Sequence, residues 1–352
     1  MPEICFRILF AILDLQIFSR YGCAMQRWSI RLLLLAFCLV AFPQRSPAPL
    51  IYRPGEGWTY EPVAGEGKWQ RTRAKDQLEV AQVAFDKKDY GLAQKAARRV
   101  VKQWPLSDYA PNAQYLIGRC YEARKMDEKA FNAYQRVLEK YPKIESYDEI
   151  LQRQYEICNR YLGGQWFKLW GYIPFFPSME RTAGMYEKVV KNGPYSDVAP
   201  QAQLNIGAAR EKQSDFPLAV KAYERAADRY HDQKKIAADA LFHAGLAYNK
   251  QAKTAEYDQN TAAQAIATFT DFMTLYPDDP RVPEAQKIVA SLKTEQARGS
   301  YEIARFYENN KRWNGALIYY NEVLLQDPNS QYAIVARQHI AMLKKRTESA
   351  SK

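Results

Sequence analysis

The motif that closes each helical stretch recurs six times along the chain and constrains the fold more than any other feature. In each copy an aromatic or polar residue ends the stretch, and proline usually follows it. These closing segments are QWP at 103–105, KYP at 140–142, NGP at 192–194, RYH at 229–231, LYP at 275–277 and QDP at 326–328. A motif that recurs at intervals of a few tens of residues is typical of repeat proteins, in which each helix pair buries its apolar face against its neighbours. The sequence therefore predicts stacked repeats rather than one globular core.

Counting back from these ends recovers the 34-residue tetratricopeptide pattern of small, large and aromatic positions. The second unit fits it with Gly118, Tyr121, Ala130, Tyr134, Val137 and Pro142. The first, fourth and last units also fit, although the first lacks the aromatic residue and His231 replaces the proline of the fourth. The third and fifth units fit only with insertions. We predict an all-α tetratricopeptide-type solenoid of about six helix pairs, with a right-handed superhelix, over residues 72–346.

Three glycines within these helices predict a close helix crossing. Gly118, Gly207 and Gly245 occupy the small position of the first helix in three units. A glycine inside a helix costs about 1 kcal/mol relative to alanine. That cost is tolerable where the second helix of the same unit approaches the backbone closely. The prolines that follow end the second helix, because proline lacks an N–H group and clashes with the preceding turn.

The first 48 residues have the features of a secretory leader. Residues 25–42 combine Arg27 and Arg31 with an apolar run of 11 residues that ends at Phe42. This length suits a signal sequence and is too short for a membrane span. We expect Met25 to be the true start. A lipid on Cys38 is an alternative, although Phe37 occupies the position where a lipoprotein signal has a small residue.

The segments that flank the repeats lack helical and strand periodicity. Residues 49–70 contain three prolines and four glycines, so we expect an extended arm over 49–71. Residues 347–352 are expected to be a disordered tail. With the leader removed, Cys120 and Cys158 would be the remaining cysteines, either as buried helix residues or as one disulfide.

Charge and motif content argue against several classes of function. The net charge of +11 is spread over helices that carry both signs, which indicates solvated faces and acidic or lipid-headgroup partners rather than nucleic acid. The three histidines and five cysteines form no metal, redox or triad spacing, and no phosphate-binding glycine loop is present. We therefore expect a protein that is not an enzyme and has no catalytic residue, metal, cofactor or small-molecule substrate.

Two sets of residues are candidates for partner binding. In this repeat class the fifth position of each first helix points into the concave groove, and Arg119 lies beside that stripe. The stripe consists of Leu78, Tyr115, Tyr155, Leu204, Phe242 and Tyr301. The insertion at 162–178 adds Trp166, Phe167, Trp170, Phe175 and Phe176. As alternatives, the stripe could pack against neighbouring repeats, and the insertion could plug the solenoid interior rather than meet a partner or membrane surface.

The junction loops PLSDYAP and PYSDVAP and the segment SYEIARFYENNKRWNGALIYYNEVLLQDPNSQYAIVARQHIAML at 300–343 resemble the BamD family of outer-membrane protein assembly factors. The resemblance spans roughly 72–346, and the lipobox of that family is missing before Cys38. It implies a periplasmic scaffold, peripheral to the outer membrane, that binds a BamA-like barrel insertase and unfolded outer-membrane protein substrates, with contact to the inner leaflet of that membrane as an option. Tol–Pal-associated repeat proteins share these junctions, so coordination of the cell envelope, or a general adaptor role, is the alternative.

Overall fold

The computed structural model describes residues 50–60, 69–169, 173–254 and 259–350. The expected leader at 1–48 lies outside the described residues. Within them the chain forms thirteen α-helices and four short strands. By compactness, residues 53–57 and the described residues from 69 onward belong to one unit, and residues 50–52 and 58–60 belong to another. Apart from the first β-hairpin, the features discussed below lie in the helical unit.

The first ten helices form five consecutive pairs. Their bounds are α1 (Ala74–Asp86) with α2 (Tyr90–Gln103), α3 (Ala110–Ala123) with α4 (Asp127–Lys140), α5 (Tyr147–Leu162) with α6 (Met179–Asn192), α7 (Ala199–Lys212) with α8 (Phe216–Arg229), and α9 (Lys234–Thr254) with α10 (Gln259–Leu275). The second helix of each pair packs on the first helix of the next pair. The predicted all-α repeat solenoid is confirmed.

The C-terminal part departs from the regular pattern. Helix α11 (Val282–Asn309) is 28 residues long and runs through the expected boundary before the sixth unit. Its second half pairs with α12 (Trp313–Gln326), and α13 (Gln331–Ala350) follows. Because α13 continues to Ala350, the segment from 347 that we expected to be a disordered tail is helical up to that residue.

The close crossing predicted from the glycines is present in three pairs. A Cβ atom on Gly118 would overlap the ring of Tyr134, and one on Gly207 would overlap the ring of Tyr223. A Cβ atom on Gly245 would lie 2.8 Å from the Phe269 ring. These three rings are buried, so each second helix places its aromatic side chain directly on the backbone of the first helix. Glycine is required there because the ring occupies the space of a side chain.

The loops between pairs are tied to the following pair by tyrosine hydroxyl groups. The Tyr141 hydroxyl at the end of α4 donates to the carbonyl oxygen of Pro105 at 3.2 Å. Likewise, the Tyr230 hydroxyl at the end of α8 donates to the carbonyl oxygen of Pro194 at 3.0 Å. Since each bond joins one loop to the next pair's second helix, it fixes the spacing between successive pairs.

Two short β-hairpins stand where the sequence indicated irregular chain. Strands β1 (Leu50–Arg53) and β2 (Gly57–Tyr60) pair within the expected arm. Strands β3 (Phe167–Leu169) and β4 (Ile173–Phe176) pair antiparallel within the aromatic insertion. Aromatic and β-branched residues favour paired strands, and this preference prevails over the neighbouring glycines and prolines.

Candidate protein-binding groove

A polar groove lies between α7 and α9, the first helices of adjacent pairs. Its cavity volume is about 480 Å³. It is lined by Gln201, Leu204, Asn205, Ala208, Glu211, Lys212, Tyr223, Asp239, His243 and Lys250. The residues Gln201, Leu204, Ala208 and Lys212 lie about one turn apart on α7, so one face of this helix forms a wall of the groove. This is the side of the helix pairs on which we expected partner binding.

The groove contains charges of both signs rather than a continuous apolar stripe. Glu211 accepts a hydrogen bond from the Tyr223 hydroxyl at 3.0 Å and pairs with Lys250. Asp239 pairs with Arg281 at 2.7 Å. The position-five stripe alone did not reveal this polarity. Following the helix face from Leu204, one turn back and two turns forward, would have found Gln201, Ala208 and Lys212. Asp239, in contrast, is brought to the groove only by the packing of α9 on α7.

His243 lies on α9 between the groove and the aromatic core. Its ring stacks on that of Tyr223 with 5.4 Å between centroids and meets Phe242 edge-on at 6.1 Å. Burial lowers the pKa of His243 below its usual value, and the negative charge of Glu211 offsets this only in part. A neutral imidazole with a ring nitrogen near the groove is therefore favoured at neutral pH.

Three tyrosines of the predicted stripe are half-buried and contact the second helix of their own unit. Tyr115, Tyr155 and Tyr301 lie with ring centroids 5.8 to 6.0 Å from Tyr134, Tyr186 and Tyr320, respectively. Leu78 is also half-buried and packs on the first core cluster. Part of each side chain thus stabilises the repeat, and the remaining part is open to a partner.

Leu204 and Phe242 require a correction as direct partner contacts. Each is only 5% exposed. Phe242 packs against Phe269 and Phe272 and lies under the Arg281 guanidinium at 4.8 Å. Phe269 and Phe272 belong to the second helix of the same pair and Arg281 to the next unit, while Leu204 packs in a cluster with residues of α8 and α9. Both side chains are therefore covered by their own repeat and by the neighbouring one.

Arg119 belongs to a charged network on α3 and α5. Its guanidinium lies 5.5 Å from the centre of the Phe85 ring and 3.9 Å from a Glu149 carboxylate oxygen. Glu149 accepts from the Tyr115 hydroxyl at 2.6 Å, and that bond, together with the nearby Arg153 guanidinium, holds the pKa of the carboxyl below its usual range. This network leaves the Tyr115 and Arg119 tips partly accessible at fixed positions.

The aromatic insertion is divided between core and surface. Phe167 is 2% exposed, and its ring stacks on Tyr161 with 4.1 Å between centroids. Its assignment to partner binding is therefore corrected: it fills the core of the third pair. Trp166 is 51% exposed. Trp170 lies outside the described residues, and Phe175 and Phe176 lie on β4, where Phe176 is paired with Phe167.

A tyrosine–glutamate–base contact recurs along the solenoid. The hydroxyls of Tyr134, Tyr223 and Tyr320 each donate to a glutamate 12 residues earlier, at distances of 2.6 to 3.0 Å. The three glutamates, Glu122, Glu211 and Glu308, pair in turn with bases from a following helix. Those bases are Arg153, Lys250 and His339. Each contact therefore joins both helices of one unit to a later helix.

Cys120 and Cys158 are buried free thiols, which matches the simpler of the two alternatives. Burial raises the pKa of Cys120 to about 11. Across the described ranges, no three His, Cys, Asp or Glu residues are grouped so that they could hold a metal ion. No helix in those ranges combines the length and apolar character needed to cross a membrane.

Two family models match parts of the chain. Residues 178–333 match the model described as outer membrane lipoprotein (YfiO), and residues 112–143 match the model described as tetratricopeptide repeat. The tetratricopeptide match covers the second helix pair, α3 with α4. The first match runs from just before α6 to the start of α13, somewhat under half of the chain. Repeats of this kind generally mediate contacts between proteins, so the chain is a repeat scaffold.

The similarity to solved structures is low in identity. The C-terminal part of a tetratricopeptide repeat protein from Cytophaga hutchinsonii is 15% identical, with a TM-score of 0.34, and the match covers 75% of this chain and 87% of that one. A tetratricopeptide repeat protein from Parabacteroides merdae is 11% identical, with a TM-score of 0.32, and the match covers 77% and 98%. MamA from Desulfovibrio magneticus is 14% identical, with a TM-score of 0.31, and the match covers 61% and 99%. No curated protein sequence matches the chain.

Proposed function

We propose that this chain is a non-catalytic periplasmic scaffold in outer-membrane protein assembly. The observation that carries the proposal is the match of residues 178–333 to an outer membrane lipoprotein family, because that span contains every lining residue of the polar groove. The resemblance of residues 300–343 to the BamD family supports the same role. The partners we propose are a BamA-like barrel insertase and unfolded segments of outer-membrane proteins.

The groove suits an extended polypeptide. An unfolded segment presents backbone N–H and C=O groups that need hydrogen-bond partners. The Gln201 amide donates to Asn205 at 3.3 Å, and the Lys212 ammonium donates to the Leu162 carbonyl at 2.6 Å. Both side chains retain further hydrogen-bonding capacity for such a segment, because an amide has two donors and an acceptor and an ammonium has three donors. The half-exposed Trp166 provides an amphipathic ring of the kind that anchors protein interfaces. The Tyr155 hydroxyl accepts from the Asn205 amide at 3.4 Å, so this ring borders the groove on the side of the preceding pair.

Site-specific photo-crosslinking in intact cells tests this role. A photoreactive residue at Gln201 or Ala208 faces the groove, and one at Ile318, which is exposed on α12, is the matched control. We expect the groove positions to crosslink the barrel insertase or unfolded outer-membrane proteins, and the control position not to do so. Crosslinks to Tol–Pal components would support the alternative envelope role, and cytoplasmic partners would support a general adaptor.

The proposed periplasmic location of the protein is tested by a separate experiment. We expect fractionation to recover the chain in the periplasm, attached peripherally to the outer membrane, and mass spectrometry to find no peptide upstream of about residue 43. A cytosolic chain that begins at Met1 or Met25 would contradict the proposed location and, with it, the assembly role.

A further inference from the structure

A second cavity opens on the opposite side of the helix pairs, among α6, α7 and α8. Its volume is about 580 Å³, which lies in the range of ligand-binding clefts. It is lined by Glu187, Val190, Lys191, Pro194, Gln203, Ile206, Arg210, Leu218, Lys221, Ala222, Arg225 and Arg229. Five of these side chains are basic and one is acidic. We refer to this cavity as the basic cleft.

The charges of the basic cleft are arranged in a row. Lys221, Arg225 and Arg229 are spaced by four residues on α8, so their Cα atoms follow each other at about 6 Å along one face of the helix. Lys191 lies on the facing helix, α6. Glu187 is paired with Arg210 at 3.4 Å, and so it does not neutralise the row. Along the described chain, no carboxylate forms an ion pair with Lys191, Lys221 or Arg225.

Three of the five cations recur at matching positions elsewhere in the chain, whereas Lys221 aligns with Asn132 and Arg210 with Tyr121. Residues 100–141 align with residues 189–230 without a gap, at an offset of 89. The contacts agree as well: Gln114 donates to the Ala133 carbonyl and Gln203 to the Ala222 carbonyl, at 3.3 and 3.0 Å. In this alignment three cations of the basic cleft have basic counterparts. Lys102 corresponds to Lys191, Arg136 to Arg225 and Lys140 to Arg229.

We propose that the basic cleft binds an acidic peptide segment of a partner protein. The row of cations extends over more than two helical turns, which is longer than one carboxylate or phosphate group. Acidic side chains on one face of an extended peptide repeat at about 6.6 to 6.8 Å and match the spacing of the row. The floor, which includes the buried Val190 and Ile206, accommodates the apolar residues of such a segment.

Other anionic polymers match the basic cleft less well. None of its lining residues is aromatic, and single-stranded nucleic acids are generally bound by aromatic rings that stack on the bases. A flat membrane surface can reach the rim but not the floor between α6 and α8. This inference concerns the face opposite the polar groove, and it does not rest on the proposed role in outer-membrane assembly.

Fluorescence anisotropy with the full chain tests the inference. The probe is a labelled synthetic peptide of about 12 residues in which Glu alternates with Ser and Leu. A second peptide, with glutamine in place of every glutamate, provides the uncharged comparison. We expect the chain to bind the acidic peptide and not the uncharged one, and the affinity to fall as salt rises from about 50 to about 300 mM, because exposed charges are screened.

The decisive comparison is between two double charge reversals. Lys221→Glu with Arg225→Glu changes the basic cleft, whereas Lys287→Glu with Lys293→Glu makes the same charge change at exposed positions of α11. We expect the cleft variant to bind the peptide at least about fivefold more weakly and the control variant to bind within about twofold of the original chain. If the cleft variant melts earlier, Lys221→Gln with Arg225→Gln replaces it, with a smaller loss of affinity in the same direction.

Equal weakening in both variants, or none in either, would overturn the proposal, since the row would then have no specific role. Phosphatidylglycerol vesicles decide between a peptide and a lipid. If the vesicles bind in a cleft-dependent manner and the acidic peptide does not bind, the basic cleft is a lipid-headgroup site and the peptide proposal is wrong.

Discussion

Individual glycines in these helices have opposite roles, depending on what faces them. At Gly207 the buried Tyr223 ring occupies the space of a Cβ atom, and its hydroxyl is held by Glu211. The ring cannot move away without breaking that bond. At Gly184 on α6, no heavy atom lies within 4 Å of a Cβ position. The two positions therefore form a matched pair for substitution.

We predict that Gly207→Ala lowers the free energy of unfolding by about 1–3 kcal/mol, the usual cost of overpacking. Gly184→Ala is expected to raise it by up to about 1 kcal/mol, because alanine is the better helix former. Urea denaturation of both variants provides the measurement. An unchanged stability for Gly207→Ala would show that the α7–α8 crossing is looser than described.

His243 predicts a pH dependence of stability. Its pKa in the folded chain is lowered by burial, so the unfolded chain binds the proton more readily. The contribution of neutral His243 to the free energy of unfolding is therefore fully present above about 6.5, the pKa of histidine in the unfolded chain. It is lost as the pH falls below that value. We expect the melting temperature to fall between about pH 7.5 and 5.5, and His243→Gln to remove part of this fall. An unchanged pH profile for His243→Gln would contradict the prediction.

At the scale of elements, the regular helix pairs could be predicted from sequence because each repeated residue type meets a packing requirement within its own pair. The glycine–aromatic crossing in three pairs is an example: each glycine makes room for an aromatic ring that follows 16 residues later in two pairs and 24 residues later in the third. Helix α11 could also have been anticipated, since no proline interrupts residues 284–309. The repeat template instead imposed a boundary there.

The surface of the groove was harder to predict. Position five of a first helix is half-exposed in Tyr115 and Tyr155 but covered in Phe242. Phe242 is covered because Phe269 and Phe272 of its own pair, and Arg281 at the start of α11, surround it. Such burial depends on how neighbouring helices pack, which is a property of tertiary structure that the pattern of one helix does not contain.

The aromatic insertion of the third pair combines a core residue with a surface residue, and substitutions of the two are expected to have different effects. Phe167 fills the core against Tyr161, and Arg181 covers its ring at 4.5 Å, whereas the adjacent Trp166 is half-exposed. We expect Phe167→Ala to cost about 3–5 kcal/mol of stability. Trp166→Ala should leave thermal stability within about 0.5 kcal/mol and weaken association with a partner or membrane. Thermal unfolding and co-purification, measured for both variants, separate these effects, and a large loss of stability for Trp166→Ala would make the whole insertion a core plug.

At the scale of the whole helical unit, stability depends on contacts between neighbouring pairs. The Glu122, Glu211 and Glu308 contacts show this coupling, since each joins the two helices of a unit to a later helix. In a solenoid, stability is approximately the sum of such nearest-neighbour interactions, so a change at one end is felt mainly at that end. The last helix, α13, provides a test, because its apolar face covers the pair formed by α11 and α12.

We predict that ending the chain after Pro328 destabilises the C-terminal pair specifically. This change removes Ile340 and Leu343 from the core around Tyr320, together with the 2.8 Å contact between His339 and Glu308. Burial of two such aliphatic side chains contributes about 3–6 kcal/mol, and the exposed face would also promote aggregation. Hydrogen exchange should show faster exchange in α12 and the second half of α11, with α3 to α6 unchanged. A chain that ends after Arg346 keeps the packed face of α13 and should match the full chain. If exchange instead accelerates equally in all helices, the solenoid unfolds as one cooperative unit and the nearest-neighbour description is wrong.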